Sequence, residues 1–108
     1  MSFGLPESLI EEITKILQNY SEVEEALIYG SRAKGNYREG SDIDMVLKGE
    51  MLTEEIRSQI FWEKDELNSP YTVDLSIYHQ ITSQELIQHI DRVAKPLFQR
   101  ENQTNPNE

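Results

Sequence analysis

Residues 29–47, YGSRAKGNYREGSDIDMVL, crowd a Gly-Ser pair, three basic residues and two aspartates into one short stretch. Gly30 and Ser31 follow an apolar run. Glycine there permits close backbone approach, and free N–H groups with a serine hydroxyl can cradle a phosphate. Arg32, Lys34 and Arg38 add positive charge to a chain that has little elsewhere. Asp42 and Asp44 stand two apart, so on a strand their carboxylates share a face, about 7 Å apart along the backbone. Two like charges that close repel unless a cation or proton intervenes. Asp74, in VDLSIY, has the same parity, because Val73 and Leu75 take the core side. If the two strands are neighbours, three carboxylates converge. Hard oxygen ligands select Mg²⁺ or Mn²⁺ over zinc or copper. Three of them can hold two ions about 3.5–4 Å apart, an arrangement suited to in-line displacement at phosphorus. The turn thus reads as a clamp for the tail of a nucleoside triphosphate, and the aspartates as a clamp for metals bridging it.

Those residues need strands to carry them. EEALIYG predicts a first strand over 24–29, and DIDMVLK a second, with Ile43, Met45 and Leu47 facing one way and Asp42, Asp44 and Val46 the other. YTVDLSIY predicts a third, with Val73, Leu75 and Ile77 opposed to Asp74, Ser76 and Tyr78. Residues 30–41 hold three glycines and read as a loop, with a helical turn starting at Ser31. Helices fill the remainder. Leu9, Ile10, Ile13, Ile16, Leu17 and Tyr20 recur on one face of a helix over 7–20. Thr53 caps a second helix, with Glu54 and Glu55 at its positive end and Leu52, Ile56, Ile60 and Leu67 facing inward, and Asn68, Ser69 and Pro70 stop it. Thr82 and Glu85 form a capping box for a last helix carrying Leu86, Ile87, Ile90, Val93, Ala94 and Leu97, with Pro96 at its end or kink. The result is a small α/β fold. The link between the first two strands is too short for a crossover, so that pair is expected antiparallel and the sheet mixed.

The chain has 108 residues, enough for one domain, expected over 1–99 with a disordered tail at 100–108 that lacks apolar residues. Its formal net charge of −10 argues against general nucleic-acid binding, which needs clustered Lys and Arg. It contains no cysteine, excluding disulfides and thiolate metal sites. Neither a basic N-terminal region with an apolar run nor a membrane-length apolar stretch is visible, so a cytoplasmic protein is expected.

Gly30-Ser31, ten intervening residues and then Asp42-Ile43-Asp44 resemble the G-S-x(10)-D-x-D signature of the polymerase-β-like nucleotidyltransferase superfamily. Asp74 stands where that superfamily's third carboxylate is expected. The resemblance spans about residues 7–98 and, at this size, is greatest to the minimal nucleotidyltransferases (the MNT group). It implies a metal-dependent nucleotidyltransferase. Asp42 and Asp44 would bind two Mg²⁺ ions (or Mn²⁺), and Asp74 would join one of them and help activate an acceptor hydroxyl. Gly30 and Ser31 would contact the β- and γ-phosphates of ATP, with Arg32 also on the nucleotide. Minimal members are typically encoded beside an all-helical HEPN protein, often an RNase toxin, and some act as antitoxins by transferring AMP from ATP to a tyrosine of that toxin. A HEPN-type partner is therefore implied. A small hydroxylated acceptor is disfavoured by the short chain, and neutralisation of the partner by binding alone stays open.

Other residues read more plainly. Tyr29 and Tyr37 flank the turn and either stack on a base or pack in the fold. His79 and His89 lie ten apart with no ligand set nearby and read as structural. Trp62 falls on the far side of its helix from Ile56 and Ile60, so it is either an exposed partner anchor or packs against the last helix.

Overall fold

The structure is a computed structural model that describes residues 3–67 and 69–100. Its first helix, α1 (Glu7–Gln18), follows Pro6 in an extended conformation and buries Leu9, Ile13, Ile16 and Leu17. That spacing of four, three and one residues keeps them on one face. The helix ends two residues short of Tyr20, whose hydroxyl instead donates to the Glu63 carboxylate across the molecule. β1 (Glu25–Tyr29) leads through Gly30 into a single helical turn, α2 (Ser31–Lys34), as the sequence suggested. β2 (Ile43–Lys48) and β3 (Val73–Ile77) flank α3 (Glu54–Asp65). The Thr53 hydroxyl accepts from the Ile56 N–H at 3.2 Å, confirming the predicted cap.

The strands form one mixed sheet in the order β3-β2-β1-β4. β1 and β2 are antiparallel, as the short link required, with Leu27 opposite Val46 and Tyr29 opposite Asp44. β2 and β3 are parallel, joined through α3, with Asp44 opposite Asp74. The small α/β fold with a mixed sheet is thus borne out.

Three local expectations are corrected. Residues Lys95–Gln99 form a fourth strand, β4, on the outer edge beside β1; they do not extend the last helix. Pro96 explains the change, because it pushes the residue before it out of helical geometry and suits an edge strand, where a missing N–H costs little. Leu97, assigned to a helical face, therefore lies on a strand, and the next residue, Phe98, enters the core. The last helix, α4 (Gln84–Val93), is capped by Ser83, whose hydroxyl accepts from the Leu86 N–H at 3.2 Å, one residue beyond the predicted Thr82. That register turns Leu86, Ile90 and Val93 toward the sheet. Finally, Arg100, assigned to the tail, is tied in: its guanidinium donates to the carbonyls of Leu17, Tyr20 and Val23, and its N–H to Glu24. The rest of that tail lies outside the described residues, as does Asn68.

Alternation divides the sheet into two faces. Ala26, Ile28, Ile43, Met45, Leu47, Val73, Leu75 and Ile77 pack with α1 and α3 in the main core. Leu27, Tyr29 and Val46 form a smaller second core with Ile90 of α4. Asp44 and Asp74 share this second face. Burying these strand side chains against the helices contributes apolar driving force at about 25 cal/mol per Å² removed from water. α4 then covers only part of the other face.

Candidate active site

The candidate site sits at the sheet end where β1 finishes and β2 and β3 begin. Parallel pairing with in-register starts brings Asp44 and Asp74 side by side. Antiparallel pairing sets Tyr29 on the other flank of Asp44. Asp42, exposed, precedes the first residue of β2. Its neighbours are both pinned: the Ile43 N–H donates to the Thr72 carbonyl at 2.8 Å, and the Ser41 N–H donates to the Arg38 carbonyl at 2.9 Å.

Gly30 closes the site from the β1 side. Its φ of 72° lies in the left-handed region, and its ψ of −153° belongs to a conformation that glycine alone readily adopts. A Cβ at this position would overlap the Asp44 carboxylate. Glycine is therefore required twice, by backbone conformation and by the approach of Asp44. Ser31, half-buried, begins the helical turn directly after it.

The electrostatics are those of an uncompensated acidic cluster. Burial raises the Asp44 pKa above the ordinary carboxylate range, and the neighbouring charges of Asp74 and Asp42 raise it further, while His89 opposes them. Burial likewise raises the Tyr29 pKa, with Asp74 and Asp44 adding to it and a hydrogen bond with Ser76 acting against them. Such a cluster of oxygen donors fits a hard divalent cation, whose charge would relieve the repulsion. Asp44 and Asp74 are the adjacent pair and Asp42 the outlying third. Among the described residues no three acidic or histidine side chains are drawn tightly enough to enclose an ion by themselves. Of the three carboxylates expected to converge, Asp44 and Asp74 pair in register, and the charge of Asp42 also acts on Asp44.

Arg32, expected on the nucleotide, packs into the fold. The side chain is 3 % exposed, and its guanidinium donates to the Ser41 carbonyl from two nitrogens, at 3.1 and 2.8 Å, and to the Phe3 carbonyl at 2.9 Å. The rings of Tyr37 and Tyr71 lie 5.0 and 5.2 Å from it. At least three of its N–H donors thus bond to the fold. Lys34 and Arg38 remain exposed, and the Arg38 N–H donates to the Ser41 hydroxyl at 2.9 Å.

Sequence reasoning also passed over three neighbours. His89 sets its ring edge-on to Tyr29, centroids 6.0 Å apart, and so belongs to the wall of the site. Ser76 follows Asp74 on the same strand face, a parity that the alternation in VDLSIY already carried. Arg57 donates to the Glu54 carboxylate, which chiefly raises its pKa, and Asp74 contributes to the same shift. Its approach to β3 depends on how α3 crosses the sheet. Trp62 is 60 % exposed, edge-on to Phe61 at 5.5 Å, which favours exposure over packing against the last helix.

With this geometry in view, comparison with known families is decisive. The family model described as "Polymerase beta, Nucleotidyltransferase" matches residues 11–103. The chain belongs to this nucleotidyltransferase family. Its match takes in the Gly-Ser turn and all three aspartates. Solved structures carry the same fold. One is a toxin–antitoxin complex with AMP-PNP, at TM-score 0.65 and 22 % identity over 90 % of this chain and 76 % of that one. Another is a tri-AMPylated Shewanella oneidensis HEPN toxin in complex with MNT antitoxin, at TM-score 0.64 and 20 % identity over 87 % and 72 %. A third is the MntA–HepT toxin–antitoxin, at TM-score 0.64 and 20 % identity over 88 % and 74 %. Among curated proteins, none matches in sequence. Among the described residues of this nucleotidyltransferase, no helix is long and apolar enough to cross a membrane.

Proposed function

We propose that this nucleotidyltransferase is an antitoxin that transfers AMP from ATP to a hydroxyl, most simply a tyrosine, of a HEPN-type RNase toxin. The observation that carries the reading is the pairing of Asp44 with Asp74 directly beside the Gly30–Ser31 turn. Asp42, Asp44 and Asp74 would hold Mg²⁺, which when bound screens phosphate charge and lowers the pKa of a bound hydroxyl. The Gly30–Ser31 backbone and the Ser31 hydroxyl hold the β- and γ-phosphates. Asp74, at the outer strand and exposed, faces the acceptor and takes its proton. The acceptor oxygen then bonds to the α-phosphorus, the bond from α-phosphorus to the bridging oxygen breaks, and pyrophosphate leaves. His89 and Tyr29 wall the site on the α4 side.

The solved complexes with AMP-PNP and with an AMPylated toxin support the choice of nucleotide and partner. A phosphodiester placed on an RNase would repel the RNA backbone that the enzyme must grip. The acidic chain, at −10, also suits simple masking of a basic RNA-binding face, which is the second reading.

One experiment separates them. Sub-stoichiometric protein with Mg²⁺ and ATP should add the mass of an AMP residue to excess partner, and inhibition should persist once this protein is removed. Asp44→Asn should abolish the mass shift. An unmodified partner that is inhibited one-to-one by Asp44→Asn without ATP would leave only the masking function.

A further inference from the structure

We propose that Arg32 is the positioning residue for Asp42: its buried guanidinium holds the loop that presents this carboxylate, and it does so without touching nucleotide. Asp42 is the one acidic residue of the site outside a strand, one position before Ile43. On its far side, Ile43 is fixed to the Thr72 carbonyl by the β2–β3 pairing. On its near side lies a loop from Gly35 to Ser41 with two glycines at positive φ, Gly35 and Gly40. Within that loop Arg38 and Ser41 close a turn on each other, and Arg32 ties this turn to the rest of the fold. Two guanidinium nitrogens converge on the Ser41 carbonyl, one residue from Asp42, while a third donates to Phe3 in the N-terminal segment.

The surroundings fit that role. Tyr37 and Tyr71 enclose the guanidinium, which keeps water from competing for the carbonyls and strengthens charge-assisted bonds. Tyr71 lies three residues before Asp74. Arg32 therefore touches the segments that lead into both β2 and β3. A lysine could not reproduce two parallel donors onto one carbonyl.

The proposal rests on Asp42 serving as a metal ligand in the proposed reaction, so its test has one arm that is independent of metal and nucleotide. Hydrogen–deuterium exchange of Arg32→Met and Arg32→Lys should show peptides spanning residues 36–44 exchanging about tenfold faster, as when one local constraint is lost, with α1 and α4 unchanged. In the second arm, Mn²⁺ affinity measured without nucleotide should weaken by about 10–100-fold, as when a supporting partner of a ligand is removed. Unchanged exchange over 36–44 with a loss of ATP affinity would overturn the proposal and return Arg32 to the nucleotide. Uniformly faster exchange, failure of both variants to fold, or Arg32→Lys behaving as wild type would also overturn it, because the guanidinium fork would then not be what places Asp42. Should the wild-type protein bind no Mn²⁺, the metal reading fails and the exchange arm alone decides the positioning role.

Discussion

Gly30 and Asp44 occupy one space: where any other residue would place a Cβ, the Asp44 carboxylate already stands. The last residue before the Ser31 turn and the central acid of the candidate site are thus built against each other across the β1–β2 pair.

Gly30→Ala should cost more than strain alone. Gly35 offers the control, because it also has positive φ, 89°, but its Cβ would meet open space. Forcing a side chain into left-handed backbone costs about 1–3 kcal/mol. Urea denaturation should show that loss for Gly35→Ala and a larger one for Gly30→Ala, and isothermal titration should show ATP binding lost only in the latter. Equal losses at both positions would mean that Asp44 moves aside freely.

Asp44→Asn should stabilise the metal-free protein at neutral pH, by on the order of 1 kcal/mol or less, because it removes a charge held against two others. The sign follows from the raised pKa. A carboxylate harder to ionise in the fold than in the unfolded chain destabilises the native state wherever it is charged. As pH falls through the raised folded value toward the unfolded one, wild-type Asp44 protonates and the advantage of the amide disappears. Thermal melts in chelator from neutral to acid pH should show the two proteins converging. A gap constant with pH would place its origin elsewhere than in charge.

Tyr20 joins the end of α1 to α3 through Glu63, and this hydrogen bond is the main reason its pKa is pushed up to about 12. Neutral tyrosine is the favoured form, so its contribution is complete below the unfolded pKa near 10 and fades as pH rises from there toward 12. Ultraviolet titration at tyrosinate wavelengths should show a late-ionising group near 12 that Tyr20→Phe removes, while the raised steps of Tyr29 and Tyr78 remain. That variant should lose about 1 kcal/mol at neutral pH.

Phe98→Ala tests the fourth strand. The ring is buried in the main core, so truncation should cost about 3–5 kcal/mol. Exchange protection should fall first in β1, its neighbour in the sheet. If residues 95–99 were instead a helical continuation, β1 would keep its protection.

Trp62→Ala should leave stability within about 0.5 kcal/mol, because the indole stands largely in water. Its fluorescence should be red-shifted and open to collisional quenching, and partner binding that shields it would mark this face of α3 as an interface.

Much of the site was legible in the chain. Alternation along DIDMVLK and YTVDLSIY put Asp44 and Asp74 on a common face, and a link too short for a crossover set the β1–β2 pairing antiparallel. Both inferences rest on local geometry, the period of two in a strand and the reach of a loop, which a sequence carries in full. The spacing of Gly30-Ser31 from Asp42 and Asp44 did the same for the family.

What tertiary structure decided was how each shared or ambiguous group is used. Arg32 beside a Gly-Ser turn reads as a phosphate ligand, and only the fold brings Phe3, Tyr37, Ser41 and the distant Tyr71 around it. Thr82 and Ser83 offer equivalent hydroxyls, and only the face that α4 lays on Leu27 and Val46 selects between them. His89 has no partner in sequence and gains Tyr29 as a neighbour only when α4 crosses β1. Leu97 suits a helical stripe as well as a strand, and the choice falls to the strand because β1 offers an open edge and Pro96 denies the helix its next turn. Periodicity is written residue by residue, but burial depends on which distant surface arrives to cover a side chain.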